Sequence, residues 1–243
     1  MRFRVMTYNV HRCVGADGAE DASRVAHVVA HHKPDVVCLQ EIVVAARDED
    51  ETEQPAALAG ALGMRHGAVG LNCERRRGVY GNMTLARFPV EEHENLDLTL
   101  RFHVPRGGLY TRLRLPNHAT LHVVNVHLGL GGHERPSQMR RVFERIGEVA
   151  RKDDAVVVLG DVNDWRNRLV RGPVRAAGFR CITGDVTDAG PPTFPSRAPL
   201  GAIDKIFVAG PVRVHGVHVS RLALARVASD HLPVLADLEV VPS

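Results

Sequence analysis

The stretch 155–165, Ala-Val-Val-Val-Leu-Gly-Asp-Val-Asn-Asp-Trp, joins a continuous apolar run to a tight group of oxygen donors. Val156, Val157, Val158 and Leu159 predict a strand buried on both faces. Gly160 ends the run, and Asp161, Asn163 and Asp164 follow at once. Polar side chains at the end of a buried strand are costly to desolvate unless a hard cation or a reacting substrate compensates them. Alone, the same residues also suit a surface turn whose Asp and Asn cap the next segment. The choice depends on whether other strand ends carry matching groups.

Several do. Residues 3–10 alternate as a strand that places Asn9 at its end, where a side chain can enter a cleft, although a turn residue is the bland alternative. A second short buried strand, 36–39, ends in Gln40-Glu41. In the strand expected over 121–128, period two puts Asn125 and His127 on one face, with His127 near the end; a lone strand histidine can also be purely structural. Asp204 interrupts the apolar run of a strand over 201–209, and a carboxylate there needs a partner. Ser229-Asp230-His231 precedes the last core strand, 232–235. Asn82 stands near the start of a strand over 80–87, and Arg106 lies in the Pro-Arg-Gly-Gly break before a strand over 109–115.

Helices and loops must hold these ends in place. Val25, Val28 and Val29 mark a helix over 24–32, with Ser23 as cap and Lys33-Pro34 as stop; His27, His31 and His32 read as solvated. Further helices are expected over 55–62, closed by Gly63, and over 169–177, stopped by Gly178. Residues 136–152 give the best amphipathic helix, with Met139, Val142, Phe143, Ile146 and Val149 as its apolar stripe. The acidic run 48–53 reads as a solvated loop rather than a metal site. Residues 70–81 read as a polar loop whose Arg75, Arg76 and Arg77 suit either a phosphate contact or plain solvation. Residues 185–199, rich in Pro, Thr, Asp and Gly, predict a long surface loop able to roof the cleft. No linker or repeat divides the chain, so one domain over 1–243 is expected.

Composition narrows the class. With 44% hydrophobic and 24% charged residues, 243 residues suffice for a substantial core. A net charge of +3 favours an anionic partner such as a phosphate ester but does not by itself imply nucleic acid. Cys13, Cys38, Cys73 and Cys181 are too scattered for a soft-metal site or a disulfide framework and read as free thiols. No apolar run is long enough to cross a membrane and the N-terminus lacks a signal core, so a cytoplasmic protein is expected.

Six short motifs occur in a telling order: Thr7-Tyr8-Asn9, Leu39-Gln40-Glu41, Asn125-Val126-His127-Leu128, Gly160-Asp161-Val162-Asn163, Ile203-Asp204 and Ser229-Asp230-His231-Leu232-Pro233. From about residue 3 to 239 the chain resembles the endonuclease/exonuclease/phosphatase superfamily, and within it a group of small bacterial members. The superfamily includes pancreatic-type deoxyribonucleases, abasic-site endonucleases, inositol polyphosphate 5-phosphatases and neutral sphingomyelinases. The resemblance implies an α/β fold of the deoxyribonuclease type, a four-layer α/β sandwich of two packed mixed β-sheets flanked by helices. It also implies hydrolysis of a phosphate ester by an activated water, assisted by Mg²⁺ or Mn²⁺.

Carried over by position, Glu41 resembles the principal metal ligand, with Asn9 and Asp230 helping to hold the metal or its waters. Asp161 resembles the residue that orients or deprotonates the attacking water, and Asn163 the phosphate-orienting amide beside it. His231 would contact the scissile phosphate, with Asp204 on its other ring nitrogen fixing the tautomer and favouring the imidazolium. His127 matches a second histidine of the deoxyribonuclease and sphingomyelinase branches, which contacts phosphate or helps protonate the leaving group and which abasic-site enzymes generally lack. Asn82 and Arg106 fall in segments that line the family's cleft and are expected substrate contacts.

Three features depart from the pattern. Val162 replaces a common Phe, Tyr80 stands roughly where one branch carries a glutamate paired to the second histidine, and no DNA-gripping insertion is evident. The expected function is a metal-dependent phosphodiesterase, a nuclease acting on DNA or RNA. The alternative keeps the site and changes the substrate to a phospholipid or inositol-phosphate headgroup, with Leu128 and Leu130 touching a membrane surface. A non-catalytic binding module on this fold is disfavoured because the full residue set is present. The sequence leaves the oligomeric state open.

Overall fold

A computed structural model describes residues 1–44, 54–75, 78–185 and 187–241. Its strands are β1 (Arg2–Asn9), β2 (Val36–Val44), β3 (His66–Arg75), β4 (Gly78–Ala86), β5 (Val90–Asp97), β6 (Gly107–Arg114), β7 (Thr120–His127), β8 (Ala155–Asp161), β9 (Arg180–Cys181), β10 (Asp204–Ala209), β11 (Val212–Val219) and β12 (Val234–Val240). Its helices are α1 (Ala22–His32), α2 (Gln54–Leu62), α3 (Glu134–Val149) and α4 (Ala225–Ala228). Among the described residues the strands make two six-stranded sheets, ordered β11-β12-β1-β2-β4-β3 and β5-β6-β7-β8-β10-β9. Each has one parallel pair near its centre, β1 with β2 and β7 with β8, and the connections of these pairs carry α1 and α3.

The layers follow from side-chain alternation. Val5, Val36 and Cys38 of the first sheet pack on Leu121, Val123, Val157 and Leu159 of the second, forming the inter-sheet core. The intervening residues face outward: Met6 and Tyr8 meet Val25, Val28 and Val29 of α1, and Val124, Val126, Val156 and Val158 meet Met139, Val142 and Ile146 of α3. Both faces of each central strand are therefore apolar, which is why Val156–Leu159 reads as an unbroken run. The result is the expected four-layer sandwich.

Toward the C-terminal ends of the parallel strands the inward positions turn polar. The series Val5-Thr7-Asn9, Cys38-Gln40, Val123-Asn125-His127 and Leu159-Asp161 all change in the same direction. Both parallel pairs end together, with Asn9 opposite Gln40 and His127 opposite Asp161. Gly160 permits this closeness at φ +150°, because a Cβ there would overlap the Val126 carbonyl oxygen of the neighbouring strand.

Some local expectations shift. Asp21, not Ser23, caps α1, its carboxylate accepting the Ser23 N–H at 2.9 Å. His32 is partly buried rather than solvated: its ring lies 2.8 Å from Ser220 Oγ, and burial lowers its pKa to about 4. The polar stretch 70–81 is not a loop; most of it lies in the β3–β4 ladder, where outward polar residues are tolerated. β5 and β11 escaped the sequence reading because Glu91, Glu92 and Glu94 or His215 and His218 interrupt their apolar pattern. The helix expected over 169–177 is present over 168–176, but residues 170–174 widen and kink it around Gly172 and Pro173. β2 runs on to Val44, so Glu41 is not a strand terminus. Asp204 is the first residue of β10 rather than an interior interruption. The acidic run 48–53, Arg76 and Arg77, and the Arg75 side chain lie outside the described residues.

Candidate active site

Asp161 ends β8 with its carboxylate buried at 2% exposure. Oδ1 accepts the Asn163 backbone N–H at 3.0 Å, which the left-handed Asn163, φ +51°, brings back toward the strand end. Oδ2 accepts Asn9 Nδ2 at 3.0 Å and lies 3.7 Å from His231 Nε2 and 3.6 Å from His127 Nε2. One carboxylate oxygen thus faces groups from three separate segments.

His231 is held from behind. Its Nδ1 donates to Asp204 Oδ2 at 2.9 Å, and the same oxygen accepts the Thr193 hydroxyl. The other oxygen of Asp204 is buried without a hydrogen bond. Ser229 anchors the loop by donating to the Asn9 carbonyl at 2.7 Å. Burial alone would lower the pKa of His231, but the charges of Asp204 and Asp161 outweigh it and raise the value to about 10. Burial raises the Asp161 carboxyl to about 6 despite the opposing pull of His231. At neutral pH the site therefore pairs an imidazolium with a carboxylate poised near its titration point.

His127 differs. Its Nε2 accepts from Arg106 Nη1 at 3.0 Å, and burial together with the Arg106 charge lowers its pKa well below the ordinary histidine value. Burial and the Arg106 cation outweigh the Asp161 carboxylate 3.6 Å away, so His127 is neutral, with its proton on Nδ1. Tyr80, Asn82, Arg106, His127, Glu41 and Arg12 line a cleft of about 700 Å³. Asn82 is nearly fully buried and spends its NH₂ on the carbonyls of Gly107, at 3.0 Å, and Asn125, at 3.2 Å; it ties the two sheets together and has its amide oxygen left to offer the cleft. Asn163 Nδ2 donates to the Leu128 carbonyl at 3.0 Å.

Glu41 is aimed by its backbone. The β2–β4 register slips between Gln40 and Ile42, and Glu41 takes φ +59°, so a bulge turns its side chain into the cleft. Among the described residues its closest hydrogen bond is a long one, 3.3 Å from Asn9 Nδ2, and Arg12 Nε is 3.9 Å away. Asp230 is similarly under-filled: Ser229 Oγ is 3.4 Å away but gives its single proton to Asn9, and His11 Nδ1 is 3.9 Å away. Two partly exposed carboxylates with lone pairs to spare fit a hard divalent cation. Asn9 fits less directly, because its oxygen accepts the His11 N–H at 3.0 Å while its NH₂ faces Glu41 and Asp161.

The sequence reading did not single out Thr193, Arg12 or Phe194 for the site. Thr193 and Phe194 come from the 185–199 segment, which is more than a roof: Thr193 and Ser196 are buried and bond Asp204 and the Ser229 carbonyl. Phe194 packs between Trp165 and His231, with ring centroids 5.9 and 4.9 Å apart. Trp165 is half exposed, so an aromatic surface exists beside the catalytic candidates despite an aromatic content of 5%.

The sequence profile of the Endonuclease/Exonuclease/phosphatase family matches residues 6–231. The "Uncharacterized protein YbhP" of Escherichia coli (strain K12) is 30% identical over 98% of this chain and 96% of its own. An endonuclease/exonuclease/phosphatase structure from Beutenbergia cavernae is 25% identical and covers 98% of this chain and 72% of its own, with a TM-score of 0.83. The D. rerio TDP2 structure complexed with a single-strand DNA product is 18% identical and covers 98% of this chain and 99% of its own, with a TM-score of 0.72. At that identity the TDP2 likeness concerns the fold.

Proposed function

Since the chain belongs to the endonuclease/exonuclease/phosphatase family, whose members include nucleases and phosphatases acting on phosphoester bonds, we propose that it is a divalent-metal-dependent phosphodiesterase acting on nucleic-acid strands. The observation that carries this reading is the Asp204–His231–Asp161 line, in which a charged imidazole stands between a buried anchoring carboxylate and a poised one.

In this reading Asp161 holds the attacking water and takes its proton as the water oxygen bonds to phosphorus. His231 donates from Nε2 to a non-bridging phosphate oxygen, where charge grows, and Asp204 keeps the ring protonated and oriented. Asn163 orients the phosphate, and Asn82 borders it. As the ester P–O bond breaks, Arg106 lies on the cleft side of His127 and balances charge on the departing oxygen. Neutral His127 holds that guanidinium by accepting from it, and the leaving oxygen takes its proton from solvent. Glu41 and Asp230 would hold Mg²⁺ or Mn²⁺, with Asn9 orienting Glu41. When bound, the cation stabilises negative charge on the phosphate oxygens as a Lewis acid. The exposed Trp165 edge offers a stacking surface for a nucleobase.

The test is hydrolysis of bis(p-nitrophenyl) phosphate, p-nitrophenyl phosphate, plasmid DNA and single-stranded oligonucleotide with Mg²⁺, Mn²⁺ or EDTA, using His231→Ala as control. Metal-dependent cleavage of the diester and of nucleic acid, abolished by EDTA and by His231→Ala, is expected. Turnover of the monoester alone would replace the diesterase reading with a phosphatase, and no turnover at all would overturn the hydrolytic assignment.

Asp204 supplies a pH signature. Activity that needs the His231 imidazolium is present below its folded pKa and lost as pH rises through that value, about 10. Asp204→Asn removes the leading charge that raises it, so the alkaline limb of the kcat/KM profile is expected to move down by about one unit or more. An unmoved limb would mean that His231 does not act as the cation.

A further inference from the structure

Apart from the hydrolytic centre, His103, His133 and Glu134 present one ligand atom each, all within 4.8 Å of one another. His103 Nδ1 lies 3.0 Å from Glu134 Oε1, and the two imidazole centroids are 5.3 Å apart. The carboxylate is built in rather than solvated. The Glu134 side chain is 9% exposed, accepts the Gly131 N–H at 3.0 Å, and occupies space that a Cβ on Gly129 or Gly131 would fill. The two imidazoles beside this buried carboxylate are reachable from solvent, His103 partly exposed and His133 exposed.

From this geometry we propose that His103, His133 and Glu134 form a second metal site that takes a borderline-soft ion of the Zn²⁺ type. Two nitrogens and one carboxylate suit Zn²⁺ and leave a fourth position for water, whereas the oxygen-only set around Glu41 suits a hard ion. Ligand atoms at about 2.0–2.1 Å from a tetrahedral ion sit about 3.4 Å from each other, which modest side-chain rotation reaches from the present spacing.

The site clips together two segments of the cleft wall. His103 belongs to the 98–106 loop, closed at its base by the Leu98 N–H donating to the Arg106 carbonyl at 2.9 Å. Glu134 opens α3, just beyond the glycine-rich turn that follows His127. An ion bound there ties the segment bearing Arg106 to the segment that leaves His127, so occupancy sets how firmly that side of the cleft is held.

The test is calorimetric titration of metal-stripped full-length protein with ZnCl₂ in excess MgCl₂, with CoCl₂ absorption reporting the coordination. A stoichiometric site with the intense visible bands of four-coordinate Co²⁺ is expected. His133→Ala and Glu134→Gln are expected to weaken Zn²⁺ binding by about 100-fold or more, beyond the loss of an outer-shell partner. Glutamine still accepts the Gly131 N–H, so an unchanged melting temperature separates loss of a ligand from loss of the turn. His231→Ala is expected to retain the site. Absence of stoichiometric binding, or binding that survives both ligand variants and disappears in His231→Ala, would overturn the proposal.

Discussion

Asp161→Asn is expected to lower kcat by about 10³-fold while leaving the melting temperature at pH 8 unchanged or higher. Asparagine keeps the shape and the Oδ1 acceptor for the Asn163 N–H, so the turn after β8 survives. The change removes the proposed base and one of the three carboxylate charges, Asp204, Asp161 and Asp230, that sustain the His231 imidazolium. The stability half follows from sign. Burial raises the Asp161 carboxyl to about 6, so ionising it in the folded protein costs free energy at every pH above its unfolded value. Replacing it by a neutral isostere removes that cost, which outweighs the one hydrogen bond lost where the new NH₂ faces Asn9 Nδ2. Rate measurements paired with thermal melts check both halves. A variant that loses activity and stability together would make Asp161 structural, and one that keeps full activity would remove it from the chemistry.

Asn125→Leu is expected to do the reverse, lowering the melting temperature by about 10 °C, or about 4 kcal/mol. Asn125 is fully buried between the sheets. Its Nδ2 donates to the Leu39 and Met83 carbonyls, both at 3.0 Å, and its Oδ1 accepts Gln40 Nε2 at 2.7 Å. Leucine fills the volume but forfeits all three hydrogen bonds, each worth about 0.5–1.5 kcal/mol, and sets an apolar group against the two carbonyls and the Gln40 amide. Thermal melts of the variant decide it. A shift below about 2 °C would show that the sheets are held by their apolar core, with the amide network adding little.

These two residues show what the sequence carried. The inward series Val123-Asn125-His127 and Leu159-Asp161 have period two, so the change from core to site is written into alternate residues. The ordered motifs carried the family resemblance, and the central strand and amphipathic α3 were visible because their apolar patterns agree with their burial. β5 was not visible: its burial alternates, but Glu92 and Glu94 hold half-buried inward positions beside exposed Glu91, His93, Asn95 and Asp97, so polar residues fall on both faces. α1 drew the right span with the wrong cap, because Asp21 and Ser23 are both good capping types and only backbone geometry selects one.

The sequence by itself determined the polar strand ends and the residue types gathered there, because each depends on local periodicity and on the cost of burying polar groups, while the layered α/β class came from the family resemblance of its ordered motifs. Tertiary structure alone decided which groups meet. The partner of His127 is the Arg106 guanidinium, set by how β6 and β7 place their ends. Glu41 enters the cleft through a one-residue bulge against β4. Asp204, at the head of β10, reaches His231 beyond α4, 27 residues later in the chain. Such pairings fix the charge of each histidine through distances of 3–4 Å, and sequence spacing does not encode distances between segments that only folding brings together.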